Sequence, residues 1–136
     1  MCYRKTKIKK GRNYKVGEIR YNYRHKHYGH IKAVFATKDG VVISSVFLSS
    51  KPNDQKNKNI PLSKPLKIHK IKQSFFIKRI RTYPSSTYSE KYIENGLRKK
   101  DVLLSDTIYE VYLERKKIGT ARSGRNTDLI QHRTKR

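Results

Sequence analysis

The chain has 136 residues, of which 35% are hydrophobic and 32% are charged, so it forms one domain, or one domain with polar tails, around a small core. Lysine and arginine number 34 against 10 aspartate and glutamate residues, and the formal net charge is +24. This excess predicts a polyanionic partner, with nucleic acid first and an anionic membrane surface second.

Targeting and cofactor signals are few. Cys2 is the single cysteine, so no internal disulfide is expected, and the first residues contain no apolar run typical of a signal peptide. No stretch approaches the ~20 apolar residues of a membrane span. The chain also lacks GxxxxGK[ST], GxGxxG and CxxC motifs. We therefore expect a soluble cytoplasmic protein with no cofactor.

The first half of the chain carries the strongest strand signals. Residues 1–15 form a basic arm with interleaved tyrosines, which indicates either a nucleic-acid contact or a solvated tail. A short strand is predicted over 16–23. Strands over 31–37 and 41–48 flank Lys38-Asp39-Gly40, and Asp-Gly between apolar runs is the strongest short-range signal of a hairpin.

Further short strands are predicted over 59–62 and 74–81, after a polar loop at 49–59. Glu90 follows Thr87 at the spacing of a capping box, which predicts a first helix over about 88–94.

A second helix is predicted from Asp101 or Ser105 to about residue 117, with Leu104, Ile108, Val111 and Tyr112 as its apolar stripe. The prediction is an α+β fold: a small twisted antiparallel sheet, open or closed as an SH3-like barrel, with one or two C-terminal helices. The single domain spans 16–117, between the basic arm at 1–15 and a basic disordered tail at 118–136.

Two polar clusters could carry chemistry. His25, His27 and His30 form an HxHxxH group, but no carboxylate accompanies it and basic neighbours would repel a metal ion, so no metal site is expected. Cleavage of RNA by its own 2′-hydroxyl needs an acid, a base and cations, and His27 or His30 could act as acid or base. Ser49 and Ser50 end the best strand and could position a phosphate oxygen. The alternative is that these are exposed loop residues that only bind phosphate.

The candidate catalytic residues are therefore His27, His30, Ser49 and Ser50. The candidate phosphate-binding residues are basic side chains in the arms and beside the predicted strands: Lys9, Lys10, Arg12, Arg24, Lys26, Lys32, Lys51, Lys78, Arg79, Arg81, Arg122 and Arg125.

The order KHYGHIKAVF, VVISSVFLSSKPNDQK and SFFIKRIRTYP resembles the SH3-like β-barrel endoribonuclease toxins of the MazF, PemK and ToxN kind, over about residues 17–84. The resemblance implies that the strand-end Ser or Thr of that family falls on Ser49 or Ser50. It also implies that the family's basic loop residue falls on Lys26, His27 or His30, although the loop has no Arg-Pro pair. An acidic protein or an RNA that acts like an antitoxin would then be a partner.

Two mechanistic classes stay open. One is a metal-independent, toxin-type endoribonuclease, with Arg79, Arg81 and Lys51 on the phosphate. The other is a non-catalytic nucleic-acid-binding protein, such as an accessory protein of a phage or mobile element or a ribonucleoprotein component. RNA is favoured over DNA in both. A membrane-surface role is disfavoured because no helix pairs a basic face with a broad apolar one.

Overall fold

The computed structural model describes residues 8–54 and 57–123. Within these ranges the chain forms ten strands and one α-helix: β1 (Ile8–Lys10), β2 (Ile19–Asn22), β3 (His27–Thr37), β4 (Gly40–Ser49), β5 (Asn53–Asp54), β6 (Asn57–Lys58), β7 (Ile60–Ile68), β8 (Ile71–Phe76), β9 (Arg81–Pro84), β10 (Tyr88–Ile93) and α1 (Lys99–Ser123). A 3₁₀ turn at Ser85–Thr87 leads into β10. The predicted α+β class is confirmed.

One antiparallel sheet contains most of the strands, in the order β1-β10-β2-β3-β4-β8-β7. The first half of β4 also pairs with β9, and its last residues, Leu48 and Ser49, pair with β8. Strands β5 and β6 form a separate small hairpin in the loop after β4. Because β1 and β7 end the order without pairing to each other, the sheet is open over the described residues, and closure into a barrel is not shown.

The predicted Asp-Gly hairpin joins β3 to β4 and is confirmed. Thr37 pairs with Gly40 across the turn, and Gly40 has φ +118°, a backbone conformation that residues with a Cβ rarely adopt. Further along, the pairing shifts between Ile31 and Ala33, so Lys32 is an extra residue in a β-bulge. The bulge bends the longest strand pair near the middle of the sheet.

The larger core lies between the sheet and α1, on what we call the helix side. Its centre is a group of fully or nearly fully buried aliphatic and aromatic side chains: Ile19, Val46, Leu48, Ile68, Phe76, Ile93 and Ile108. From α1, Val102, Leu104, Tyr109 and Tyr112 pack against this group, and Ile108 is part of it. Val111, predicted in the same stripe, is 46% exposed. The apolar stripe of α1 therefore includes Leu104, Ile108 and Tyr112 as predicted, but not Val111.

A second, smaller core lies on the opposite face, which we call the open side. Ile31, Ile43, Phe47, Ile77 and Tyr88 form it, and no described side chain of α1 is part of it. Strand alternation explains the division, because Ile43 and Phe47 point to one face of β4 while Val46 and Leu48 point to the other. The chain segments that cover this second core carry many of the residues that the sequence predicts to bind phosphate.

The helix predicted over residues 88–94 is wrong: this segment is β10, which pairs with β1 on one side and β2 on the other. The Thr87 hydroxyl does not cap a helix. It donates to the carbonyl of Pro84 and accepts from the Asn22 side chain. Only one helix therefore follows the sheet in the described part of the chain.

The first turn of α1 is fixed by Asp101, which is almost fully buried. Its carboxylate accepts hydrogen bonds from the backbone N–H and the hydroxyl of Ser63, at 2.7 and 3.0 Å, so it ties the helix to the irregular middle of β7. None of the described helices is long and apolar enough to cross a membrane.

Candidate nucleic-acid interface

The three clustered histidines do not form one site, because β3 places them on both faces of the sheet. His30 pairs with Val46 of the helix-side core, whereas His27 lies three residues earlier in the strand and faces the open side. His25 lies in the turn before β3, and its ring is 5.0 Å from that of His27. The sheet therefore keeps His25 and His27 together and separates His30 from them.

His30 is enclosed between β3 and α1. It is 2% exposed, and its Nδ1 atom is 2.7 Å from the Ser105 hydroxyl on the helix. Burial, and secondarily the positive charge of Lys32, lowers the pKa of His30 to about 4, so the ring is neutral near pH 7. Enclosed and neutral, His30 is placed to join the helix to the sheet, away from any ligand on the surface.

The open side carries a cluster of rings around His25. The His25 ring lies 4.5 Å from Phe47 and 5.8 Å from Tyr83, and Tyr83 in turn has the Arg24 guanidinium 6.0 Å from its ring centre. His25, His27 and Tyr83 are half-buried, so each keeps part of its ring at the surface. We call these three residues with Phe47 the ring cluster.

Gly29 makes room for this arrangement. A Cβ at Gly29 would lie 2.9 Å from the Phe47 ring and 3.0 Å from the Cβ of Ser45, closer than real Cβ atoms come to ring carbons. The absence of a side chain lets the Phe47 ring pack closely against β3, where it contacts the His25 ring from the preceding turn.

Asn22 holds the turn that presents Arg24, His25 and Lys26. Its side-chain oxygen accepts from the His25 backbone N–H at 2.8 Å, and its carbonyl accepts from the Lys26 N–H at 2.7 Å. Lys26 has φ 63°, a left-handed conformation that turns the chain back into β3. Asn22 is buried and was not among the predicted site residues. An Asn directly before a basic loop is the signal that would have identified it.

Five predicted phosphate-binding residues lie around the ring cluster, and all five are exposed: Arg24, Lys26, Lys78, Arg79 and Arg81. Arg81 is the strand partner of Ser45 and shares the open side with it. Lys78 and Arg79 follow Ile77, whose backbone N–H donates to the carbonyl of Phe47 at 2.8 Å. No ion pair involves these five side chains among the described residues.

The two predicted serines differ in exposure. Ser49 is buried and its hydroxyl accepts from the Lys51 backbone N–H at 3.1 Å, whereas Ser50 is exposed. His27 and Ser49 each lie two residues from the Gly29–Phe47 pair, on the same face and at the same end of the β3–β4 hairpin. His27, Ser49 and the start of the Lys51 loop therefore border the same part of the open side.

Other predicted phosphate-binding residues already have acidic partners. Lys9 pairs with Glu94, Arg12 with Glu90 at 2.8 Å, and Lys32 with Asp106 of α1. Lys10 is exposed. Arg122 lies in α1, but its side chain is not described, and Arg125 lies outside the described residues.

Among the described residues, no three His, Cys, Asp or Glu side chains are grouped closely enough to hold a metal ion. Comparisons of the chain with protein-family models, with curated proteins and with solved structures find no match. The resemblance to ribonuclease toxins thus stays a prediction.

Proposed function

We propose that this chain binds nucleic acid through the open side, and that RNA with unpaired bases is its preferred ligand. The observation that supports this most is the ring cluster, with the Arg24 guanidinium 6.0 Å from the Tyr83 ring centre. The segments next to it carry four more exposed cations without ion-pair partners among the described residues: Lys26, Lys78, Arg79 and Arg81. Guanidinium and ammonium groups bind phosphate, and half-exposed rings stack on bases that are not paired.

The distribution of charge supports this location. Near the β1 end of the sheet, Lys9 and Arg12 are neutralised by Glu94 and Glu90, whereas no ion pair involves the five cations beside the ring cluster among the described residues. A positive potential without counter-charges is what attracts a polyanion and gives binding that weakens steeply with salt.

The test compares binding of a single-stranded RNA, the same sequence as DNA, and a duplex over a range of salt concentrations, by fluorescence anisotropy. The variant Arg24→Gln/Arg81→Gln should weaken RNA binding and reduce the slope of log K against log[salt] by about 1 to 2. The matched control is Arg98→Gln/Arg115→Gln, which removes the same charge from exposed residues before and on α1. Equal effects of the two variants, or binding that does not depend on salt, would reject the proposal.

A second candidate is metal-independent cleavage of the bound RNA, favoured by one observation: two imidazoles, His25 and His27, lie 5.0 Å apart beside exposed cations. Cleavage through the 2′-hydroxyl needs one group to take a proton and another to return one to the leaving oxygen. If the protein cleaves RNA, His27 is the catalytic residue. Ser49 then helps to shape the end of β4, and His30 has no contact with the substrate.

Incubation of the protein with RNA in EDTA tests this candidate. Discrete fragments that disappear in His27→Ala, but persist in His30→Gln, would support it. RNA that stays intact with the wild-type protein would leave the binding function alone. The same outcome would remove the need for an inhibitory acidic protein or RNA partner.

A further inference from the structure

A groove of about 270 Å³ lies on the helix side of the sheet, away from the ring cluster, and none of the described side chains of α1 lines it. Its apolar wall includes Ile19, Ile68 and Ile93, which belong to the helix-side core. Drug-sized ligands fill cavities from ~300 Å³ upwards, so this groove suits a smaller planar group.

Four tyrosines line the groove, and three of them, Tyr21, Tyr23 and Tyr28, pack together; the fourth is Tyr92. The Tyr21 ring lies 5.4 Å from that of Tyr23 and 5.1 Å from that of Tyr28, edge to face in both cases. Tyr23 is 60% exposed, so much of its ring is open to a ligand. Burial raises the pKa of Tyr28, so its hydroxyl stays protonated and can donate. We call this feature the tyrosine groove.

One rim of the tyrosine groove carries two lysines that face each other. Lys10 of β1 and Lys91 of β10 are cross-strand partners, both are exposed, and neither has an ion-pair partner in the part of the chain that is described. Like charges directly opposite destabilise a sheet, and an anion bound between them removes the repulsion. The next pair on the same face of these strands, Ile8 and Ile93, lines the groove together with Lys91.

The other rim is the β7–β8 turn, which presents His69 to the groove. His69 and Lys70 both have positive φ, at 48° and 70°, so two residues with side chains occupy a conformation that usually belongs to Asn and Gly. Lys67 and Lys72 form a second lysine pair just behind this turn. By strand alternation they project from the outer side of the hairpin, where they add to the positive potential without contacting the groove wall.

We propose that the tyrosine groove binds one unpaired nucleotide of a single-stranded nucleic acid, with its base against Tyr23 and Tyr21 and its phosphate at Lys10 and Lys91. This second site rests on the proposed nucleic-acid-binding function. A base in a duplex is stacked and paired and cannot enter the groove, so the groove favours single strands while the open side supplies general phosphate binding.

Photo-crosslinking of a 12-nucleotide oligo(U) that contains 5-iodouridine, followed by mass spectrometry, tests the site directly. Crosslinks are expected at Tyr23 or Tyr21. Tyr23→Leu should weaken binding of the oligonucleotide by about fivefold or more and leave duplex binding unchanged, since one stacking contact is lost. Lys10→Gln/Lys91→Gln should reduce the salt slope by about 1. Tyr23 is exposed, and a thermal melt verifies that the variant stays folded.

Matched controls are Tyr112→Leu and Lys99→Gln/Lys100→Gln on α1, which should bind like the wild type. Crosslinks confined to Tyr83 or His27, with Tyr23→Leu binding as well as the wild type, would overturn the groove site and leave the proposed function standing. A protein that binds no nucleic acid at low salt would overturn both.

Discussion

Arg20 shows that a cation in this very basic chain can belong to the core. It is fully buried, its Nε donates to Glu18 at 2.8 Å, and its Nη1 donates to the carbonyls of Gly11 and Ser89. The guanidinium also lies between the rings of Tyr14 and Tyr92, 4.1 and 4.3 Å from their centres. It therefore joins the N-terminal segment, β2 and β10.

We expect Arg20→Leu to lower the free energy of unfolding by about 3–5 kcal/mol, because the buried Glu18 carboxylate loses its charge partner. The double variant Glu18→Leu/Arg20→Leu should recover part of that loss, since no unpaired charge then remains buried. Urea denaturation measures both. A single variant that unfolds within ~1 kcal/mol of the wild type would show that Arg20 is not part of the core.

His30 makes stability depend on pH. Its pKa is about 4 in the folded protein, with Lys32 and Asp106 as the charged neighbours, and 6.5 is the ordinary value. The unfolded chain therefore takes up a proton that the folded chain refuses, so this contribution is complete above pH 6.5 and declines as the pH falls towards 4.

Between pH 7 and pH 5 the wild-type free energy of unfolding should fall by about 2 kcal/mol through this residue. His30→Gln, which keeps a hydrogen-bonding group near Ser105, should be much less sensitive to pH over the same interval. Urea titrations at both pH values provide the comparison. An identical decline in the two proteins would assign the pH dependence to other groups.

At the scale of single residues, the sequence predicts which residue types form the candidate site. It does not predict which of these side chains lie together on one face of the sheet. The spacing of His25, His27 and His30 indicated one cluster, and the alternation of β3 places His27 and His30 on opposite faces. That alternation was not foreseen because the strand was predicted to begin at residue 31, and the structure begins it at His27.

At the scale of elements, the β3–β4 hairpin was predictable because Asp-Gly and the flanking β-branched runs agree with the tertiary pairing. The strand β10 could not be predicted from the sequence. A local capping signal at Thr87 and Glu90 indicated a helix, whereas contacts with residues distant in sequence make the segment a strand. Arg20 binds the carbonyls of Ser89 and Glu90 in β10, and Asn22 takes the Thr87 hydroxyl that would have capped a helix. Tertiary pairing decided the outcome.

The β7–β8 turn should be under local strain, because His69 and Lys70 both occupy the left-handed region. We expect His69→Asn/Lys70→Gly to raise the free energy of unfolding by about 1 kcal/mol, since Asn-Gly is the favoured pair for such a turn. The control is Lys38→Gly, in a hairpin turn where the backbone has no such need, and it should be neutral or destabilising. A loss of stability in both variants would contradict this account.

For the whole molecule, the net charge of +24 sets the balance between folding and binding. Only a few of the cations have carboxylate partners among the described residues, so the remaining positive charges repel one another in the compact state. Both proposed sites are places where this repulsion is concentrated: five cations around the ring cluster and the Lys10–Lys91 pair at the groove.

Screening and binding should therefore stabilise the fold by separable amounts. Raising the salt concentration in the absence of ligand should raise the melting temperature, because the repulsion is screened within about 10 Å at 0.1 M. At low salt, single-stranded RNA at a hundred times its Kd should add about 2.7 kcal/mol to the free energy of unfolding, which is roughly 10 °C in melting temperature for a domain of this size.

Heparin separates the contribution of charge from that of the bases, because it is a polyanion without bases. It should stabilise the ring-cluster variant Arg24→Gln/Arg81→Gln less than it stabilises the wild type. The variant Tyr23→Leu should respond to heparin as the wild type does. A melting temperature that falls with salt and does not change with RNA would mean that the charge is not organised for a polyanion.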